Sequence, residues 1–268
     1  MNAADTRSGP VRLGRNKKNY AGEIIAMQKV IPDVVASARV NGWTVDLLKI
    51  LPDYELPVLT RSSDQEKSRV YISSGIHGDE PAGPLAIQEL INEDQWPSTV
   101  SLWVVPCLNM RGFELNQREN PDGIDLNRDY RHRQTAEVRA HIGWLAKQPP
   151  FDLCLCLHED WEAGGFYLYE QNPEHRFSLA EVMTQRASGI CPVDPSAMIE
   201  NRPATNGIIR PDLDINKRPQ WPEAFYLLMN KTRQTYTLEA PSDYALPVRV
   251  GALVAAVRAA VDTFTGRA

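Results

Sequence analysis

The sequence predicts an α/β fold, with one domain built on a twisted, mixed and largely parallel sheet covered by helices on both faces. Three observations predict it. Strand-like apolar runs alternate with helical stripes along the chain, the pattern of strands joined by covering helices. At 268 residues and 43% hydrophobic, the chain can bury a sizeable core. No repeat, low-complexity tract or linker divides it.

The elements follow in order. Residues 1–20 read as a loose polar leader and residues 21–268 as the domain. Over 21–38, Ile24, Ile25, Met27, Val30, Ile31, Val34 and Val35 form a helical stripe, with Pro32 as a possible kink. Strands are expected at 43–50, 56–60, 70–74 and 100–106. A helix opened by Pro81 spans 81–92, since proline suits a first turn. Another helix is expected at 135–147, a buried strand at 153–157, a strand at 165–169 and a helix at 177–188. Residues 192–222 hold six prolines and little periodicity; so long an irregular stretch reads as a functional loop. A helix at 222–229, a strand at 234–238 and a helix at 248–264 close the chain.

Charge and composition exclude several function classes. With 29 basic and 34 acidic residues the net charge is −5, so a general nucleic-acid binder, which needs a basic face, is not expected. No apolar run reaches the ~18–20 residues of a membrane helix, and the best, 250–261, is interrupted by Arg258. The leader lacks the apolar core of a secretion signal, so the expected location is the cytoplasm. Cys107, Cys154, Cys156 and Cys191 form no Cys-x-x-Cys pair and read as small buried hydrophobes.

Chemistry concentrates where apolar strands end. The strand at 70–74 runs into Gly75, then His77, Asp79 and Glu80 before Pro81. In open α/β sheets, ligands bind at the carboxyl ends of strands. A tight turn aims an imidazole and a carboxylate three residues apart at one point, a pair that suits zinc; alone, His-x-x-Glu is a weak signal. His158 follows the buried strand 153–157, and by itself reads as a rim histidine. Glu239 ends the strand 234–238. Together they bring two histidines and a carboxylate, with a further glutamate, to one sheet edge, the pattern of a catalytic zinc with a general base beside it. Arg118 and Arg128 lie in a loop rich in Gly, Asn and Pro, where forked, permanently charged guanidinium suits capture of a carboxylate or oxyanion. Arg111 and Arg131 read as surface arginines.

These motifs, His-Gly-Asp-Glu, the spaced Arg118 with Asp-Leu-Asn-Arg, the strand-ending His158 and Thr-Leu-Glu-Ala-Pro, occur in the order used by zinc metallocarboxypeptidases of the carboxypeptidase A type. Over residues 70–241 the chain most resembles their compact bacterial branch, which includes murein peptide amidases. The resemblance implies a zinc carboxypeptidase-like (phosphorylase/hydrolase-like) fold and one zinc ion held by His77, Glu80 and His158. It implies Glu239 as the base, Arg118 as the group that polarises the scissile carbonyl, and Asn127 and Arg128 as the holders of a terminal carboxylate. Asp125 matches the aspartate that orients the first zinc histidine. The implied activity is hydrolysis of the amide bond next to the free carboxylate of a small peptide, with a cell-wall peptide as one candidate.

Departures from the pattern stand beside it. Asn109-Met-Arg-Gly replaces the family's Asn-Pro-Asp-Gly, and an unrelated Asn-Pro-Asp-Gly stands displaced at 120–123. The residue after the third ligand is Glu159, often Ser or Thr in the family, and Asp160, Trp161 and Glu162 follow. This acidic cluster either faces solvent, recruits a basic substrate group or attracts a second cation. Tyr226 is the one candidate for the tyrosine used by digestive members, although its amphipathic helix argues for the core. A second reading is a deacylase of N-acyl amino acids resembling aspartoacylase and succinylglutamate desuccinylase, which share the fold and similar motifs. A third is a zinc-binding interaction protein without catalysis.

Overall fold

A computed structural model describes residues 9–15 and 23–267. Among these residues the chain forms one ten-stranded sheet in the order β1-β2-β4-β3-β5-β10-β6-β9-β8-β7. The strands are β1 (Thr44–Leu51), β2 (Tyr54–Arg61), β3 (Ser68–Ser74), β4 (Val100–Val105), β5 (Leu153–Asp160), β6 (Tyr167–Gln171), β7 (Met198–Ile199), β8 (Arg202–Thr205), β9 (Ile208–Ile209) and β10 (Thr235–Pro241). Parallel pairing is concentrated in the centre, where β4, β3, β5 and β10 run side by side. Both flanks are mainly antiparallel.

The helices are α1 (Met27–Val40), α2 (Ala82–Glu93), α3 (Met110–Leu115), α4 (Ala136–Leu145), α5 (Ala180–Ser188), α6 (Glu223–Asn230) and α7 (Leu246–Phe264). The two-residue period of the central strands separates two cores. Val70, Ile72, Leu153, Leu155 and Leu157 pack with α1, α2, α5 and α7. Tyr71, Cys154 and Cys156 point to the other face and pack with α4 and α6. The four cysteines are free and buried, as composition suggested. No helix among the described residues is long and apolar enough to cross a membrane.

Two expectations change. The stretch 192–222 is not simply a loop. Its strands β7, β8 and β9 extend the sheet, joined by tight turns with positive φ at Glu200, Asn201, Asn206 and Gly207. Asn-Gly at 206–207 favours a two-residue hairpin turn because both residues tolerate left-handed backbone. The leader is also not loose where it is described. The backbone N–H groups of Gly14 and Arg15 donate to the Asp243 carboxylate at 3.1 and 2.8 Å, and Leu13 N–H to the Asp243 carbonyl at 2.7 Å. The rest of that leader, residues 1–8 and 16–20, lies outside the described residues, as do Ala21 and Gly22.

Candidate metal centre

Three adjacent central strands end at the site. After β3, Gly75 turns the chain with φ +60°, delivering His77 and Glu80 ahead of α2. The turn is pressed against α3: a Cβ on Gly78 would lie 2.1 Å from the Gly112 carbonyl carbon, so only glycine fits. Asn109, from the variant Asn-Met-Arg-Gly, holds this contact. Its side-chain oxygen accepts from Gly112 N–H at 3.0 Å and its amide donates to Ile76 O at 3.3 Å. His158 lies near the end of β5, and Glu239 occupies the paired position on β10.

His77, Glu80 and His158 are buried and converge, their donor atoms all within 4.8 Å of one another. Nδ1 of each histidine meets the Glu80 carboxylate, His158 at 3.0 Å. Nε2 of His77 lies 3.3 Å from Asp125 Oδ1. A proton held there leaves the Nδ1 lone pair of His77 for a metal, the usual arrangement of a metal-bound imidazole and its carboxylate. Two imidazoles and a carboxylate in one buried cluster are a donor set that fits zinc.

Arg118 bridges the cluster and the cavity. Its Nε donates to Asp125 Oδ2 at 3.0 Å, and a terminal nitrogen lies 3.7 Å from Glu80 Oε1. Both groups keep the guanidinium fixed while the side chain stays partly exposed. The site opens into a cavity of about 440 Å³ lined by the metal cluster, Arg118, Asp125, Asn127, Arg128 and Glu239, with Glu200, Arg202 and Arg218 on its outer wall.

Two carboxylates here are pushed in opposite directions. Burial works against ionising Glu80, but His77 and His158 outweigh it and hold Glu80 below the usual carboxylate range. Burial first, and then the charges of Glu80, Asp160 and Glu200, raise Glu239 well above it. A charged ligand beside a proton-hungry carboxylate is the division of roles that hydrolytic chemistry needs.

Asn127 is fixed from behind: its side-chain oxygen accepts from Glu223 N–H at 2.9 Å, at the start of α6. Glu223 is buried and anchored by a polar chain that sequence reading does not identify. Tyr71 OH and Ser73 Oγ donate to its carboxylate at 2.7 and 3.0 Å. Because Tyr71 spends its proton on Glu223, it accepts from His141 Nε2 at 3.0 Å, and His141 Nδ1 accepts from Tyr130 OH at 2.7 Å. Burial lowers His141 to about 3, consistent with the neutral ring this chain requires.

Two expectations fail. Tyr226 is not in the cavity. It is buried on α6 in the core, its ring 5.5 Å from that of Tyr130, because the apolar stripe of its helix turns it inward. Glu159 is neither solvated nor available to a substrate. It is buried and accepts from the Arg249 guanidinium, from Ser242 Oγ at 2.9 Å and from Ala82 N–H at 2.5 Å. Asp160 accepts from Tyr167 OH at 3.0 Å, and Glu162 is exposed. Arg111 lies at the surface with Asp53 at 3.1 Å, as expected.

Residues 66–195 match the family model of the succinylglutamate desuccinylase/aspartoacylase catalytic domain. A comparison with curated proteins gives no match. Among solved structures, a provisionally assigned metallopeptidase from Shewanella denitrificans OS217 superposes with a TM-score of 0.75 at 20% identity, over 88% of this chain and 90% of that one. A metallo-carboxypeptidase from Burkholderia cenocepacia gives 0.65 at 16% identity, over 90% and 70%. Bovine thrombin-activatable fibrinolysis inhibitor, in complex with a tick carboxypeptidase inhibitor, gives 0.63 at 13% identity, over 92% and 99%. The chain therefore has the zinc carboxypeptidase-like fold, with a succinylglutamate desuccinylase/aspartoacylase catalytic-domain match over residues 66–195 inside it.

Proposed function

We propose that the protein is a zinc-dependent hydrolase of the amide bond next to a free carboxylate, acting on a small peptide as a metallocarboxypeptidase. The observation that carries this reading is the convergence of His77, Glu80 and His158 in one cavity with Glu239, Arg118, Asn127 and Arg128. His77, Glu80 and His158 would hold one zinc ion, which would supply Lewis acidity for the carbonyl and for water.

The chain's own groups do the rest. Arg128, exposed at the cavity, takes the terminal carboxylate. Asn127 assists through its amide nitrogen, since its oxygen is committed to Glu223 N–H. This pairing sets which bond lies at the centre, the proximity part of catalysis. Arg118 donates to the carbonyl oxygen as negative charge develops there. Glu239, paired in register with His158, takes the proton of the attacking water and returns it to the leaving nitrogen.

The second reading, a deacylase of N-acyl amino acids, is favoured by the family match over residues 66–195. The outer wall adds to it. Arg202 and Arg218 both line the cavity, and burial together with the charge of Arg202 lowers Arg218. Cations placed against each other suit a substrate carrying a second anionic group. One experiment separates the readings: metal content by elemental analysis, paired with hydrolysis of a mixed library of short peptides and N-acyl amino acids. Stoichiometric zinc with release of C-terminal residues supports the peptidase. Zinc with deacylation alone moves the function to the second reading, and folded protein that takes up no zinc removes both.

A further inference from the structure

Glu159 immediately follows the third metal ligand, and its surroundings join three parts of the site. Its backbone N–H donates to Glu80 Oε2 at 3.2 Å. One carboxylate oxygen accepts from Ala82 N–H at 2.5 Å, two residues beyond Glu80 at the start of α2. The other accepts from Ser242 Oγ at 2.9 Å, just past the end of β10 that carries Glu239. That same oxygen accepts from Arg249 on α7, whose side chain is fully buried. A second terminal nitrogen of Arg249 donates to Glu23, which also accepts from Arg15 at 2.6 Å.

A buried ion pair is weak evidence for stability, because desolvating both charges offsets much of their attraction. What this pair offers is direction. A carboxylate with fixed donors on both oxygens holds the turn before α2, the end of β5 and the end of β10 at set separations. Those are the segments bearing Glu80, His158 and Glu239. We propose that Glu159 and Arg249 are positioning residues for the metal centre, and that Glu23 extends their network into the segment preceding α1. The inference rests on the metal-site reading and adds a dependence on Arg249 and Glu23, which do not line the cavity.

The test measures zinc affinity of the full-length protein by chelator competition. It compares wild type with Glu159→Gln, Arg249→Met, Arg249→Lys and Glu23→Gln, alongside thermal unfolding of the metal-free proteins. Loss of a group that orients metal ligands costs about 10–100-fold in affinity, which is the effect expected for Glu159→Gln and Arg249→Met. Arg249→Lys keeps one donor and recovers part of that loss, and Glu23→Gln weakens binding by less than about tenfold on the same scale. The visible spectrum of cobalt-substituted protein shifts in the affected variants, reporting altered ligand geometry. Folded variants with wild-type zinc affinity and an unchanged cobalt spectrum, differing only in unfolding temperature, overturn the proposal and leave the pair as a brace for the fold. If Arg249→Met does not fold, Arg249→Lys and Glu23→Gln decide by the same criterion. A wild type that takes up no zinc removes the metal-site reading, and this inference with it.

Discussion

Glu239 and His158 occupy the same register position on the adjacent parallel strands β10 and β5. Because paired residues in a ladder project to the same side, the proposed base stands beside one member of the His77, Glu80 and His158 cluster without itself belonging to it. Replacing Glu239 by Gln should therefore leave zinc content unchanged and lower kcat by at least about 100-fold, the scale of a lost general base. Elemental analysis and turnover of the same preparation check it, and near-normal turnover would remove the assigned role.

His158 is one of the three side chains whose donor atoms converge at the proposed metal site. His158→Ala should lose stoichiometric zinc while remaining folded. Retention of zinc at the wild-type level would mean that the ion sits elsewhere.

Arg128 should act on binding rather than on the chemical step. In Arg128→Ala, KM should rise for substrates with a free terminal carboxylate, while substrates with an amidated terminus are affected much less. An equal loss on both would contradict carboxylate capture.

Tyr226 lies in the core, with its ring against Tyr130. Tyr226→Phe should leave kcat and KM near wild type, whereas Tyr226→Ala should destabilise by about 3–5 kcal/mol, as for other large buried aromatics. Denaturant unfolding and steady-state kinetics separate these outcomes. A large fall in kcat for the Phe variant would return the hydroxyl to the chemistry.

Glu223 provides a test through pH. Burial raises its carboxyl to about 7 against an ordinary value of 4.5, with hydrogen bonds from Tyr71 and Ser73 opposing the rise. Between those values the folded protein keeps a proton that the unfolded chain releases. Its contribution to stability is thus fullest below 4.5, declines as pH rises and levels off above 7. Glu223→Gln should remove that slope, so the difference in Tm between variant and wild type moves in the variant's favour from pH 4.5 to 7. A difference that stays constant across this window would show that the carboxyl is ionised throughout.

The convergence of His77, Glu80, His158 and Glu239 was legible because each lies where an apolar strand gives way to polar residues, and strand ends on neighbouring strands become neighbours in space. Most helices were legible for the same kind of reason, as the stripe on 248–264 is what α7 buries, whereas the short α3 lay in a stretch that reads as a loop. Glu159 was not legible. Beside Asp160 and Glu162 it looks like part of a solvated run, and its partner Arg249 lies 90 residues away on a helix whose remaining pattern is ordinary. The polar chain from Tyr130 to Glu223 was hidden likewise, since its members come from three elements and a turn and none stands in a motif. The strands within 192–222 escaped because six prolines masked them, although Asn206-Gly207 was an available hairpin signal. Tyr226 shows the opposite error, in which a family expectation competed with the helix periodicity and the periodicity was right.

The origin of the cavity walls has a consequence for how such a protein can change. His77, His158 and Glu239 lie at the ends of central strands, while Glu200 and Arg202 ride on a hairpin at the sheet's far edge. In the proposed function, the bond-breaking groups and this part of the cavity lining are thus carried by separable pieces of chain. Grafting a different turn between β7 and β8 should retune what is accepted without rebuilding the machinery that cuts it, giving evolution or an engineer a modular point of entry.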